Sequence, residues 1–268
     1  MAEIEVERQA ESGLPVVVNP PPSVVEDKPE SGVMTLVDHL VELRRRIFIG
    51  VLALVIGSVI GFVISDRVLE ILRAPIGDQK LIYLELGGAF AIRLKLGVLV
   101  GVALAFPVIA WQLWAFVAPG LTAHERRVAR PWVPLMVVFF LLGVGVAYAV
   151  LPAAASFLRS FEIPGVLEST LTAEAYFGFV TMLFLAFGAV MQFPIVIVVL
   201  NRIGLLSVER LKGSRRYVIL GIVIFAVVVT PGGDPVSPLV MSAVMYGLYE
   251  LTILVLGRTA RRAPATDA

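Results

Sequence analysis

The chain has 268 residues, of which 58% are hydrophobic and 16% are charged, and its formal net charge is +1. Water-soluble domains are roughly 45–50% apolar and about 25% charged, so the composition indicates a protein embedded largely in lipid. The near-neutral charge excludes a broad basic surface for nucleic acid, and the lack of cysteine excludes disulfides, thiol catalysis and cysteine metal sites.

Residues 1–33 form a different kind of segment, with six glutamates and the proline run Pro20, Pro21 and Pro22. The segment has too little apolar surface to offset the entropy of ordering it, so we predict a disordered cytoplasmic tail. It has no long apolar stretch, which argues against a secretory signal.

Six apolar segments follow, and we predict an all-α membrane domain over residues 34–257 with a short cytoplasmic C-terminal tail at 258–268. A membrane span needs about 20 apolar residues, with a range of about 17–25. The fifth segment falls below that range, so by itself it fits either a re-entrant segment or a span across a locally thinned bilayer. The predicted spans lie at about 47–64, 96–117, 132–151, 176–200, 217–230 and 238–257.

The long loop between the first two spans contains two stretches with an amphipathic pattern, at 66–73 and 89–95. Helices of this kind lie in the plane of the membrane surface. We therefore predict two short interfacial helices that cap the outer face of the protein.

The arginines and lysines predict the orientation, because loops on the cytoplasmic side of a membrane are rich in them. They cluster before the first span, in the second-to-third and fourth-to-fifth loops and after the sixth span, and only the first loop carries several on the opposite side. This pattern predicts that both termini are cytoplasmic. An even number of spans is then required, which favours the fifth segment as a real span.

Prolines recur inside the predicted spans, at Pro107, Pro134 and Pro194. Each proline removes a backbone hydrogen bond and can bend its helix, so we expect bent helices that form a concave wall rather than a tight cylinder. For any one of them the alternative is a proline that a membrane helix simply tolerates.

Several local strings of the membrane part match one family. They are His39–Arg46, Phe106–Ile109, Trp114–Leu121, His124–Arg127, Ala186–Gly188, Phe193–Pro194 and Thr230–Pro231 with Asp234. Over about 34–257 the chain therefore resembles the TatC family, the core subunit of the twin-arginine translocase. The resemblance implies a glove-like bundle of bent helices in the cytoplasmic membrane, without a cofactor. It also implies a receptor for the twin-arginine signal peptides of folded precursor proteins, which acts with single-span TatA and TatB and with other TatC copies and is driven by the proton-motive force.

The family's signal-peptide contacts map onto Glu42, just before the first span, and Glu125, just before the third. On their own terms, two carboxylates at one cytoplasmic surface suit a ligand with two guanidinium groups, because each accepts a bidentate, charge-assisted pair that lysine does not match. The alternative is that these glutamates only pair with their neighbours Arg45 and Arg126.

The resemblance also assigns Arg44 and His39 to the signal-peptide-binding site, although for Arg44 a role as a cytoplasmic charge anchor is the alternative. It assigns structural roles to a further set of residues. Within that set, Asp234 lies in a turn rich in glycine and proline, where the alternative is a turn-capping role. The set is Pro75, Pro107, Phe116, Pro119, Pro194 and Asp234.

Two polar residues lie inside predicted spans, Gln192 in the fourth and Glu250 in the sixth. Such groups are expensive in a membrane, so we predict that they form a polar cluster or bind a partner such as TatA, TatB or the signal peptide. Many members of the family have glutamate at the position of Gln192, and a neutral amide cannot titrate. The alternative for Gln192 is a hydrogen bond between helices of the bundle.

The alternative function is a small-solute secondary transporter, since broken helices near the membrane centre are typical of that class. We find no convincing internal repeat and few charges within the spans that would couple ions. An intramembrane enzyme is excluded, because the spans have no pair of aspartates, no zinc motif and no GxSxG serine elbow. We therefore predict no catalytic residue and no metal site.

Overall fold

The computed structural model describes residues 36–77, 79–122, 126–127, 130–163, 171–230 and 233–262. The tail predicted at 1–33 lies outside the described residues, and so does most of the tail predicted at 258–268. The described residues are almost entirely helical, which confirms the predicted all-α class.

The α-helices comprise long, apolar elements and several shorter ones. Two single 3₁₀ turns, Ala74–Ile76 and Ala118–Gly120, follow α2 and α3. The helices are α1 (Leu36–Val63), α2 (Ser65–Arg73), α3 (Gly88–Val117), α4 (Trp132–Arg159), α5 (Ala173–Val190), α6 (Phe193–Arg202), α7 (Val208–Gly213), α8 (Arg215–Val229) and α9 (Val236–Arg262).

Five stretches of helix among the described residues are long and apolar enough to cross a membrane, so this is a multi-pass membrane protein. The predicted fifth span corresponds to α8, which has 15 residues. At 1.5 Å per residue α8 measures about 22 Å, against a hydrocarbon core of about 30 Å. The count of six spans therefore stays a prediction. The five stretches are Val37–Val63, Gly88–Gly120, Trp132–Arg159, Ala173–Arg202 and Val236–Arg258.

Glycines allow α1 and α3 to pack backbone against backbone. A Cβ on Gly61 would collide with the carbonyl oxygen of Gly97, and a Cβ on Gly57 would lie 2.8 Å from that of Gly101. The four-residue spacing of the glycines on each helix is the small-xxx-small pattern of close membrane helix pairs. The two helices run antiparallel in this contact, so the start of α1 lies beside the end of α3.

The centre of the bundle is built around α5, whose buried residues include Phe177, Leu183 and Phe187. The helix packs closely on α4, because a Cβ on Gly143 would lie 2.5 Å from the carbonyl oxygen of Phe187. Bulky apolar side chains of α5 therefore fill the interior, while α1 exposes most of its surface to the surroundings.

The predicted fourth span is interrupted rather than continuous. The helix stops after Val190, turns at Met191 and Gln192, and begins again as α6 with Pro194 in its first turn. A proline suits the first turn of a helix, because its missing N–H group needs no partner there. Pro107, in contrast, lies inside the continuous helix α3.

The first loop contains one of the two short helices predicted there, and its interfacial position stays a prediction. The stretch 66–73 lies within α2, which is held to α5 by a hydrogen bond of 2.6 Å from the Tyr176 hydroxyl to the Leu72 carbonyl. The separate helix predicted at 89–95 is wrong, since these residues form the start of α3. No glycine or proline separates them from the apolar segment that follows, so the backbone hydrogen bonds continue without a break.

Candidate functional site

Glu42 lies in the second turn of α1, and its side chain is only 16% exposed. Its Oε1 atom accepts two hydrogen bonds from the Arg46 guanidinium, at 3.0 Å from Nε and 2.6 Å from Nη2. Its Oε2 atom is buried and has no hydrogen-bond partner among the described residues. A buried carboxylate oxygen without a donor is unfavourable, so a ligand that brings a donor to it gains binding energy.

Arg46 connects this carboxylate to α3, because its Nη1 atom donates a hydrogen bond of 3.1 Å to Gln112 Oε1. The neighbour we considered as a partner for Glu42, Arg45, is exposed instead. Both arginines are within helical reach of Glu42, and Arg46 is the one whose head group finds a second acceptor on the adjacent helix. The alternative pairing of Glu42 with Arg45 is therefore corrected to Arg46.

The other residues assigned to this site on α1 have different surroundings. Arg44 is exposed, and because residues two apart do not share a helix face, it points away from Glu42. His39 is half-buried in the first turn of α1. The arrangement thus brings Glu42 together with Arg46 and Gln112, and it leaves Arg44 outside this set of contacts.

The second predicted carboxylate, Glu125, lies outside the described residues. The chain just before it is described: Phe116 is half-buried in the last turn of α3, and Pro119 lies in the 3₁₀ turn Ala118–Gly120. The Arg126 side chain closes this turn, because its Nε atom donates a hydrogen bond of 3.1 Å to the Ala118 carbonyl. The arginine that we considered as a partner for Glu125 therefore binds the backbone at the end of α3.

Gln192 lies at the interruption between α5 and α6. Its Nε2 atom donates hydrogen bonds to the carbonyl oxygens of Met136 on α4, at 3.2 Å, and of Gly188, at 3.4 Å. Its Oε1 atom is buried and lacks a partner among the residues that the structure describes. The amide thus joins two helices through its nitrogen, and its oxygen is left for an external donor.

Glu250 belongs to a polar cluster between α8 and α9. Its Oε2 atom accepts a hydrogen bond of 2.8 Å from Arg215 Nη2, and its Oε1 atom accepts one of 3.1 Å from the Tyr246 hydroxyl. The neighbouring Tyr249 hydroxyl donates to the Leu211 carbonyl at 2.6 Å. Both carboxylate oxygens of Glu250 are therefore used inside the protein.

The assigned structural residues occupy turns and helix ends. Asp234 is 4% exposed, and its Oδ1 atom accepts a hydrogen bond of 2.7 Å from the backbone N–H of Ser237 in the first turn of α9. This is the geometry of a side chain that caps the start of a helix. Pro75 lies in the 3₁₀ turn after α2.

Sequence reasoning missed Arg46, Gln112 and Arg215 as members of these polar sites. The spacing of four residues between Glu42 and Arg46 is a usable signal, because such residues are neighbours on a helix surface. Gln112 and Arg215 contact partners 66 and 35 residues away along the chain, and no local pattern indicates them. Within the described residues, no group of three or more His, Cys, Asp or Glu side chains is arranged to hold a metal ion.

Residues 38–243 match the family model of the Sec-independent protein translocase protein TatC. The chain belongs to the TatC family. Members of this family are components of a protein translocase, and the family is not an enzyme family.

Individual TatC proteins agree with this assignment. The chain is 36% identical to the TatC protein of Carboxydothermus hydrogenoformans over 86% of its own length and 94% of that relative. It is 38% identical to the chloroplastic TATC protein of Pisum sativum, over 82% of this chain and 63% of the pea protein. The crystal structure of a twin-arginine translocase receptor, TatC, in the detergent DDM superposes with a TM-score of 0.72 at 34% identity, covering 81% of this chain and 99% of that one.

Proposed function

We propose that this chain is the receptor that binds twin-arginine signal peptides of folded precursor proteins, with Glu42 and Glu125 as the two acceptors. The observation that supports the proposal is the buried Oε2 atom of Glu42, which has no donor among the described residues. A guanidinium group of the signal peptide can donate a charge-assisted hydrogen bond to this oxygen.

The position of Glu42 supports a site shared with Glu125. The contact between Arg46 on α1 and Gln112 on α3 brings the third turn of α1, next to that of Glu42, beside the last turns of α3. The connection that carries Glu125 begins where α3 ends. One carboxylate for each of two consecutive arginines then explains why a twin-arginine ligand is preferred over a single charge.

The proposed orientation concerns the end of the bundle where α1 starts and α3 ends. Both termini are cytoplasmic in our proposal, so that Glu42 and the connection after α3 face the compartment in which precursors are made. The protein is then a multi-pass component of the cytoplasmic membrane. It performs no catalytic step of its own, and transport is driven by the proton-motive force.

TatA, TatB and further TatC copies complete the translocase, and we propose that Gln192 contributes to their binding. The support is its buried Oε1 atom, which lacks a donor within the described ranges. Since an amide does not ionise, it acts as a hydrogen-bond acceptor for a partner helix and not as a proton carrier. Glu250 supports the bundle through its own polar cluster.

Crosslinking of a twin-arginine precursor to membranes that contain the full chain tests the site. Glu42→Gln and Glu125→Gln are each expected to weaken precursor binding by roughly tenfold or more, because each removes a charge-assisted hydrogen-bond acceptor. Glu209→Gln is the matched control, since Glu209 is exposed in the first turn of α7. This variant should bind the precursor as well as the unchanged protein does.

A precursor with two lysines in place of the arginines should bind poorly to the unchanged protein. Full binding by both Glu42→Gln and Glu125→Gln would show that the carboxylates are not the acceptors. Equal loss in Glu209→Gln would also contradict the proposal, because the effect would then follow the overall charge rather than the site.

A further inference from the structure

A cleft lies between the end of α3 and the start of α4, on a different face of α3 from Gln112. It has a volume of about 550 Å³ and opens to the outside of the helix bundle. Arginines line one part of the cleft, and apolar side chains of the two membrane-crossing helices line the rest. The lining residues that matter here are Arg127, Arg130, Pro107, Trp111, Val133 and Val137.

The charged and apolar parts of the cleft lie at different depths in the membrane. Arg130 precedes α4, whereas Val137 lies seven residues further, which is about 10 Å deeper at the rise of an α-helix. On α3, Trp111 lies near the end of the helix and Pro107 lies one turn deeper. The cleft therefore has a cationic mouth at the membrane surface and an apolar floor directed toward the bilayer interior.

The two arginines at the mouth face no carboxylate within the ranges that the structure describes. Both are exposed, and within the described residues neither forms an ion pair, whereas the guanidinium of nearby Arg126 is bound to the Ala118 carbonyl. The Trp111 ring is 45% exposed, as expected of an aromatic side chain at the level of the lipid headgroups.

We propose that this cleft is a binding site for an anionic phospholipid, with the lipid phosphate between Arg127 and Arg130 and the upper part of an acyl chain over Val133 and Val137. Arginine binds a phosphate through its positive charge as well as through hydrogen bonds, and lysine binds a phosphate as a point charge. Basic pockets between membrane helices commonly bind acidic headgroups. The apolar floor, continuous with the lipid-facing surface of α3 and α4, is what favours a phospholipid over a soluble phosphate or an acidic peptide.

Fluorescence quenching by brominated lipids tests the site directly. The chain has three tryptophans, so Trp114→Phe with Trp132→Phe leaves Trp111 as the only reporter. In liposomes that contain either brominated phosphatidylglycerol or brominated phosphatidylcholine at the same mole fraction, Trp111 should report a preference of roughly tenfold for the anionic lipid. Equal quenching by both lipids would overturn the proposal.

Charge variants in the same background separate the cleft from general surface charge. Arg127→Gln with Arg130→Gln should reduce the preference to about twofold or less, since the residual charge of the surface acts on all lipids alike. Arg127→Lys with Arg130→Lys keeps the charge and should keep most of the preference. If the lysine pair behaves like the glutamine pair, the proposed phosphate site is wrong.

The matched control is Arg210→Gln with Lys212→Gln, which removes the same charge from exposed positions on α7. This control should keep the full preference, and a loss as large as that of Arg127→Gln with Arg130→Gln would contradict the site. Millimolar inorganic phosphate should leave the quenching unchanged. If phosphate relieves it, the cleft binds a soluble anion and the lipid proposal is overturned.

Discussion

Glu42 and Glu250 are each paired with an arginine, yet their hydrogen bonding differs. Glu250 uses both oxygens, one toward Arg215 and one toward the Tyr246 hydroxyl. Glu42 uses only Oε1, which takes both hydrogen bonds from Arg46, and its Oε2 is buried without a donor among the described residues. Glu250 is therefore used fully inside the protein, whereas Oε2 of Glu42 is left for an external donor.

The origin of each partner strengthens this difference. Arg215 comes from α8 and Glu250 from α9, so their ion pair joins two helices. Arg46 and Glu42 lie four residues apart on the same helix. An arginine of a ligand can replace Arg46 without separating any helices, while nothing can replace Arg215 without disturbing the contact between α8 and α9.

The largest expected effect comes from separating α1 from α3. A Cβ on Gly101 would lie 2.6 Å from the backbone nitrogen of Ser58, so Gly101→Leu must push the two helices apart. We expect the free energy of unfolding to fall by about 1–3 kcal/mol, as for other overpacked sites. Precursor binding should be lost as well, because the start of α1, which carries Glu42, moves away from the end of α3. Chemical unfolding in detergent and precursor crosslinking measure the two effects.

Gly145→Leu is the control for this substitution, since a Cβ on Gly145 meets no atom within 4 Å. It should leave both stability and binding nearly unchanged. If Gly101→Leu binds precursor normally, the register between α1 and α3 does not position the Glu42 site, and the proposed difference between the two acidic residues loses its structural basis.

A smaller effect on stability is expected at the polar cluster. Glu250→Gln should lower the free energy of unfolding by about 0.5–1.5 kcal/mol, because it removes the charge that Arg215 faces across two helices. Glu42→Gln should lower it less, since half of that carboxylate has no partner to lose. The measurement is the midpoint of chemical unfolding for both variants in the same detergent.

A double-mutant cycle checks the assignment of the cluster. Arg215→Gln and Glu250→Gln should be less than additive when combined, because each removes the same contact. Additive effects would show that Arg215 and Glu250 do not stabilise the protein through one shared contact. A Glu42→Gln variant that is less stable than Glu250→Gln would reverse the comparison and make Glu42 the scaffold residue.

The helices themselves were within reach of sequence reasoning, because apolar segments of about 20 residues have few alternatives to membrane helices. The error at 89–95 arose from the amphipathic pattern of the first turns of α3, where the helix passes from the membrane surface into the lipid. Amphipathicity reports which face meets water, and it does not indicate whether a helix ends. The break at Gln192 could be foreseen only in part, since Pro194 suits both a bent helix and a new one.

The polar contacts were less predictable than the helices. The type of residue indicated Glu42 and Glu250, because carboxylates near or in membrane spans require partners. Their partners depend on how helices pack: Arg46 is preferred over Arg45 because α3 presents Gln112 to it, and Arg215 reaches Glu250 from a helix 35 residues earlier. Helix packing against a glycine surface, as between α1 and α3, therefore decides which of several adjacent arginines is used.

The smallest predicted effect is a gain in precursor binding, and its direction best separates the Glu42 site from the Glu250 cluster. If Arg46 occupies Glu42 until a ligand arrives, then Arg46→Gln should strengthen binding of a twin-arginine precursor by about twofold, since an ion pair of this spacing contributes roughly 0.3–0.5 kcal/mol. Arg45→Gln removes the same charge from an exposed position and should not strengthen binding. If Arg46→Gln instead weakens binding as much as Glu42→Gln, Arg46 helps to hold the ligand, and the pair acts as one unit rather than as an acceptor and its temporary occupant.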